Sequence, residues 1–265
     1  MSPIMASIII LSGCIFWIRI ILWIRKKRKT KKQRLEFNAD YYFNRGVEDL
    51  GNVNITEAIE NFSTAINMDP NFTEAYINRG NARFKWEGGT DECITDYTEV
   101  LRKKPDCVEA YVCRGNAYRD YRGNDTAKGK ENAIKDYNEA IRLNPSCAEA
   151  YFGLGKIYHE ENKSKAIENY NKAVRIKPNV GDLEGDAYYH RGLLYWEKGD
   201  VDQAIADYSE ALKYDPRYAV VYKNRAEAYE KKGDAVRALA DRQMHQKIAQ
   251  EVLASFDRFR EAQGD

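Results

Sequence analysis

Three histidines, His159, His190 and His245, and five cysteines, Cys14, Cys93, Cys107, Cys113 and Cys147, are the residues of this 265-residue chain best suited to metal or nucleophilic chemistry. Their spacing supports neither. No histidine has a second histidine or a carboxylate at metal-ligand spacing in a recognisable motif, and no CxxC occurs. A glycine-rich phosphate loop and a nucleophile elbow are also missing. The reading is therefore a non-enzymatic protein with no catalytic residue, no metal ligand and no cofactor, whose scattered thiols suit a reducing compartment.

What recurs instead is an arginine. It stands three residues after a tyrosine at Arg45, Arg79, Arg114, Arg191 and Arg225, with Leu154 in the same place after Tyr151. In four cases an aspartate follows downstream: Asp96, Asp136 and Asp207 just before an aromatic residue, and Asp241 just before Arg242, which stands in the aromatic's place. Where the arginine becomes Leu154 the aspartate becomes Asn169, and Arg45 faces Asn61. Charge in a packed interior persists when compensated, so an Arg-carboxylate pair is expected inside each of those four units.

The elements that position these residues are helical. A small residue, an aromatic four later, a small residue three after that and a proline five further on recur as Ala58, Phe62, Ala65, Pro70 and as Cys93, Tyr97, Val100, Pro105. The pattern returns at Ala133, Tyr137, Ala140, Pro145; at Ala166, Tyr170, Ala173, Pro178; and at Ala204, Tyr208, Ala211, Pro216. Such positions share one helix face, and the proline ends each helix. Self-similarity at this period marks stacked helical hairpins.

The recurring Tyr-x-x-Arg-Gly segments and these second-helix residues resemble the tetratricopeptide repeat, with tyrosine where the family often has its first tryptophan and arginine where it often has leucine. The resemblance implies an all-α, right-handed superhelical solenoid of six hairpins at 39–72, 73–107, 108–147, 148–180, 185–218 and 219–250. A capping helix is expected at 251–265, since the sixth unit replaces its second aromatic by Arg242 and carries His245 at the next small position. Segment Arg122 to Asn132 is expected to protrude as a loop, and Gly181 to Glu184 to form a second insertion.

Residues Ile4 to Ile24 form a run with Arg19 as its sole charge, long enough to span about 30 Å as a helix. Residues 1–24 are expected to be a transmembrane anchor and 25–37 a basic juxtamembrane linker. Arg25, Lys26, Lys27, Arg28, Lys29, Lys31, Lys32 and Arg34 follow the run directly. They are expected at the membrane surface, with lipid headgroups as partners and, by the positive-inside rule, the repeats in the cytoplasm. Leu11-Ser12-Gly13-Cys14 leaves open a competing arrangement, a lipid-anchored or exported protein acting in envelope assembly.

Residues 1–37 hold nine Lys/Arg and one acidic residue, so a total of +1 leaves about −7 on the remainder. That balance argues against nucleic acid as a partner and favours basic or neutral peptides. The resemblance implies a concave groove for a protein or peptide segment, lined in the first hairpins by Phe43, Val47, Ile77, Asn78 and Asn81. Further along it falls on Val112, Asn116, Arg119, Phe152, Lys156, Tyr189, Leu193, Lys223 and Asn224. The paired lysine and asparagine with which some relatives clamp acidic chaperone tails are missing: the places read Phe43/Val47, Ile77/Asn81 and Val112/Asn116.

Overall fold

A computed structural model describes residues 37–121, 126–176 and 181–263. The apolar run and the basic residues after it, Arg25 to Arg34, lie outside these. No helix among the described residues is long and apolar enough to cross a membrane. The described residues form twelve α-helices and no strands.

Two compact units emerge. The first holds two hairpins, α1 (Ala39–Gly51) with α2 (Ile55–Met68) and α3 (Thr73–Glu87) with α4 (Asp91–Lys103). The second holds four: α5 (Val108–Arg119) with α6 (Thr126–Leu143), α7 (Ala148–Glu161) with α8 (Lys163–Ile176), α9 (Gly181–Glu197) with α10 (Val201–Tyr214), and α11 (Ala219–Lys231) with α12 (Ala235–Gln263). Within each unit, hairpin partners pack on each other and consecutive hairpins pack together.

Local chemistry sets the ends. Asn38 and Asp200 cap α1 and α10 through side-chain oxygens that accept from the amides of Tyr41 and Gln203. Asn162 and Asp234 do the same for Lys165 and Arg237. Each cap satisfies an amide that the helix leaves unpaired. Between hairpins, Asp69-Pro70, Asn144-Pro145 and Asp215-Pro216 form turns in which the carbonyls of Asp69, Asn144 and Asp215 accept from Phe72, Cys147 and Tyr218. The side chains of the same three residues accept from the amides of Asn71, Ser146 and Arg217, so proline and the preceding acid or amide build the turn together.

The core is a row of aromatic rings laid on glycine. Phe62, Tyr97, Tyr137, Tyr170 and Tyr208 are fully or almost fully buried. A Cβ added at Gly46, Gly80, Gly115, Gly155 or Gly192 would come within 2.5–2.8 Å of the nearest ring atom in its own hairpin. Close approach of helix to ring therefore requires glycine at these first-helix positions.

All four Arg-Asp pairs form. Arg79, Arg114, Arg191 and Arg225 each donate through Nε and Nη2 to both oxygens of Asp96, Asp136, Asp207 and Asp241, at 2.6–3.1 Å. Three of these arginines also reach back to the preceding hairpin, where Nη1 meets Ser63, Asn171 or Ser209 at 2.7–3.0 Å. These three pairs stitch a hairpin shut and tie it to its neighbour. Asn169, in the hairpin that carries Leu154, turns to its own helix and donates to the carbonyl of Lys165.

Three expectations need correction. Residues 126–132 do not loop out but form the first turns of α6, whose Ala127, Lys128, Lys130 and Glu131 are good helix formers; residues 122–125 lie outside the described residues. Gly181 to Glu184 is the start of α9, with Glu184 and Gly185 buried. Residues 235–263 run as a single helix through the expected boundary at 250.

The α1–α2 turn holds the one non-glycine residue with positive φ among the described residues, Val53 at +64°. Other hairpin turns put Gly88, Gly199 and Gly233 in that conformation. For a β-branched side chain it costs about 1–2 kcal/mol. Val53 is 71% exposed, so Val53→Gly loses little packing. It is expected to raise the stability of the first unit by about 1 kcal/mol in urea denaturation.

Candidate partner-binding face

In the first unit, Phe43 packs against Phe62 and Phe72, with ring centroids at 5.8 and 4.8 Å, and Ile77 is buried. Asn78 donates to the carbonyl of Glu74, and Asn81 accepts from the Tyr97 hydroxyl at 2.8 Å. Val47, 45% exposed, is the open apolar position of this set.

In the second unit, Val112 and Phe152 are buried and Leu193 is partly buried. Asn116 accepts from the Tyr137 hydroxyl at 2.8 Å and from Arg119 at 2.9 Å. Arg119 also donates to both oxygens of Asp120 at 2.8 Å. The Lys156 ammonium lies 5.8 Å from the centre of the Phe152 ring and has no ion-pair partner among the described residues. Tyr189 touches the rings of His190, Tyr208 and Tyr218 at 5.2–6.2 Å, and its oxygen accepts from Asn224 at 3.3 Å. Lys223 is exposed. The fourteen expected residues thus divide: Phe43, Ile77, Val112, Phe152 and Leu193 pack between helices, Asn78, Asn81, Asn116, Arg119, Tyr189 and Asn224 are hydrogen-bonded within their own unit, Lys156 lies by the Phe152 ring, and Val47 and Lys223 are exposed.

The second unit adds residues that the groove positions omit. His190 stacks on Tyr170 at 6.0 Å with 15° between planes, and it meets Phe152 at 5.8 Å and His159 edge-on at 5.9 Å. Asp186 accepts from the Tyr218 hydroxyl at 2.8 Å. A signal for the histidines was present: His159 occupies in α7 the repeat position of Arg119 in α5, and His190 occupies that of Asn78 and Asn224.

The second-helix tyrosines show what these first-helix positions control. Tyr97 and Tyr137 bond to Asn81 and Asn116, each five residues after the tyrosine that opens its hairpin. In the next two hairpins that position holds Lys156 and Leu193, which offer no acceptor, and the buried hydroxyls of Tyr170 and Tyr208 have no protein partner. Tyr208→Phe is therefore expected to leave stability unchanged or raise it by up to about 1 kcal/mol. Tyr137→Phe, which also forfeits a contact with Arg119, should lower it by about 1 kcal/mol. Paired urea melts check the difference in sign.

Burial, then the neighbouring Lys156, His159 and Arg119, pushes the His190 imidazole down to about 4. The folded protein thus holds His190 neutral where the unfolded chain, near its ordinary 6.5, takes up a proton. Stability is full above pH 6.5 and is lost as pH falls through the window down to about 4. In His190→Gln this part of the acid sensitivity should disappear from the pH dependence of the melting temperature.

A TPR-repeat family model matches residues 127–162 and 192–233, and a tetratricopeptide-repeat model matches 148–180. Residues 127–180 and 192–233 match tetratricopeptide repeats.

Among solved structures, the APC/C hetero-tetramer Cut9-Hcn1 aligns with a TM-score of 0.69 at 20% identity over 82% of this chain. The chain spans about two fifths of that structure's length, 41%. MamA aligns at 27% identity and TM-score 0.52, covering 68% of this chain and 92% of its own. A thermophilic TPR protein in Thermus thermophilus aligns at 20% identity and TM-score 0.59, covering 72% and 98%. These likenesses agree on repeat hairpins; the recurring arginines and the His159–His190 contact are read from this chain's own residues.

Proposed function

We propose that this protein is a membrane-anchored scaffold whose repeats bind a peptide segment of a protein partner along the first helices of the hairpins. The observation that carries the reading is that those helices present groups their own packing does not use: Val47 and Lys223 are exposed, and Lys156 lacks an ion-pair partner among the described residues. Anchoring through residues 1–24 raises the local concentration of a partner at the surface, so weak contacts suffice. The basic residues 25–34 then hold anionic headgroups and keep the repeats on the cytoplasmic side.

The test is site-specific photocrosslinking in cells. A crosslinker at Val47 or Lys223 should give a discrete partner adduct, whereas one at the exposed second-helix positions Glu131 or Glu168 should not. Equal labelling from both sets defeats the groove reading. Carbonate extraction with protease protection tests the anchor: resistance to extraction and cleavage of the repeats only in opened cytoplasm are expected.

The Leu11-Ser12-Gly13-Cys14 box supports a second reading, an exported or lipid-anchored protein acting in envelope assembly. It requires Cys14→Ser to release the chain from membranes and the repeats to be protease-accessible from outside.

A further inference from the structure

Where one hairpin follows another, the chain shows which residues a first helix needs in order to dock on the second helix before it. Ala75 of α3 clusters with Ile66 of α2, Ala187 and Leu194 of α9 cluster with α8, and Val221 and Ala228 of α11 cluster with α10. Four residues after Ala75, Ala187 and Val221 stands the arginine whose Nη1 meets Ser63, Asn171 or Ser209 on the preceding hairpin. Seven residues after them stand Ala82, Leu194 and Ala228, all buried. Spacings of four and seven put the three residues on one helix face.

The second helix α12 has the receiving half of this contact and no described hairpin after it. Counted from Ala238, its Leu239 takes the place of Ile167 and Ile205, and its Gln243 that of Asn171 and Ser209. Ile167 and Ile205 are partly buried against the clusters that reach into α9 and α11. Leu239 is 56% exposed and Val236 81%. With Ala235, Ala240 and Gln243 they line a shallow depression of about 450 Å³. Residues 251–263, where a cap is expected, extend α12 instead of folding back, so the described chain leaves this face open.

The first helix α1 does not supply the other half. At the three docking places it carries Tyr41, Arg45 and Glu48, which line a separate polar depression with Asn44, Asp49 and Asn52. Stacked on α12 of a second copy, it would set the Glu48 carboxylate against Leu239, at an uncompensated desolvation cost. The two terminal faces are therefore mismatched, and the occupant of α12 is another protein.

We propose that the outward face of α12 docks an α-helix of a different protein, one that carries an arginine, an apolar residue three positions after it and a small residue four before it. Leu239 packs on the apolar residue, and the Gln243 amide oxygen accepts from the guanidinium as Asn171 accepts from Arg191. Gln246 replaces Leu212 beside the third place, where a small residue suffices. This surface shares no residue with the groove and goes beyond the peptide-binding reading above.

The test titrates the full chain, in detergent micelles, into a fluorescein-labelled stapled helical peptide with Ala, Arg and Leu at the spacing of Ala187, Arg191 and Leu194 and with Glu, Lys and Gln elsewhere. Anisotropy should rise to saturation. Leu239→Glu, at an exposed position where the melting temperature should hold, should weaken binding by about tenfold or more. Replacing the peptide arginine by alanine should weaken it by about fivefold, as should Gln243→Ala, and the two together by little more than either alone. A titration that does not saturate, or equal binding to wild type and Leu239→Glu, overturns the proposal, and additive effects of the two alanine changes overturn the arginine contact. Sedimentation decides the competing occupant: concentration-dependent dimers of the chain alone that Leu239→Glu abolishes would give this face to a second copy and also overturn the proposal.

Discussion

Asp207→Ala is expected to lower the stability of the second unit by about 3 kcal/mol, whereas the double change Arg191→Leu with Asp207→Asn should cost less than about 1.5 kcal/mol. The single change leaves the Arg191 guanidinium, whose side chain is 14% exposed, without the carboxylate that satisfies its Nε and Nη2. That exposure keeps the cost at the low end of the range for breaking a buried pair. The double change removes both charges, and the chain itself shows that the result packs: the fourth hairpin carries Leu154 and Asn169 in these places, with Leu154 buried. Burial pushes the Asp207 carboxyl up even though Arg191 pulls it back. The Arg191 guanidinium is held further toward its charged form by the same contact, so burial and pairing nearly offset across the pair, which adds little net stability although either half alone is costly. Urea denaturation of the three proteins measures both numbers. Equal losses in the single and double variants would show that the pair contributes through its geometry, including the bond from Arg191 to Asn171, rather than through compensation of charge.

The same pairing shows what a sequence of this kind makes legible. Arg and Asp recur in lockstep and disappear together at Leu154 and Asn169, so their contact can be inferred without coordinates, as can the helical hairpins from the small and aromatic residues at fixed offsets. These are patterns repeated in several copies, and repetition separates them from chance. The lysine at Lys156 occurs once, where two earlier hairpins have Asn81 and Asn116, and that the Tyr170 hydroxyl is left without a protein partner is visible only when the helices are packed. His159 and His190 sit among polar positions with no apolar period to flag them. The helix at 126–132 is obscured for a different reason: Gly129 and the charges around it read as a loop, yet this glycine is buried, and a Cβ there would lie 2.8 Å from the Tyr118 carbonyl oxygen. It marks a close approach rather than a turn.

Gly153→Ala is expected to be as damaging as the loss of Asp207, about 3 kcal/mol, at the upper end of the cost of overpacking. A methyl at this position would come within 2.3 Å of Tyr137 Cζ and 2.6 Å of its Cε1. The usual relief, a small rotation of the ring, is closed off, because the other side of Tyr137 rests on Gly115, where an added Cβ would lie at 2.8 Å. The hydroxyl is pinned as well, donating to Asn116 and lying 3.2 Å from the Arg119 guanidinium. Tyr137 is therefore gripped between α5 and α7, and the strain must pass into the spacing of two hairpins instead of into one side chain. Gly51→Ala supplies the contrast: nothing lies within 4 Å of a Cβ there, and alanine in that exposed helical position should stabilise by about 0.5 kcal/mol. If Gly153→Ala melts like the wild type, the third and fourth hairpins slide past one another at little cost. Loosening of that kind should then register as faster amide exchange along α5 and α7, the helices that carry Arg119 and Lys156.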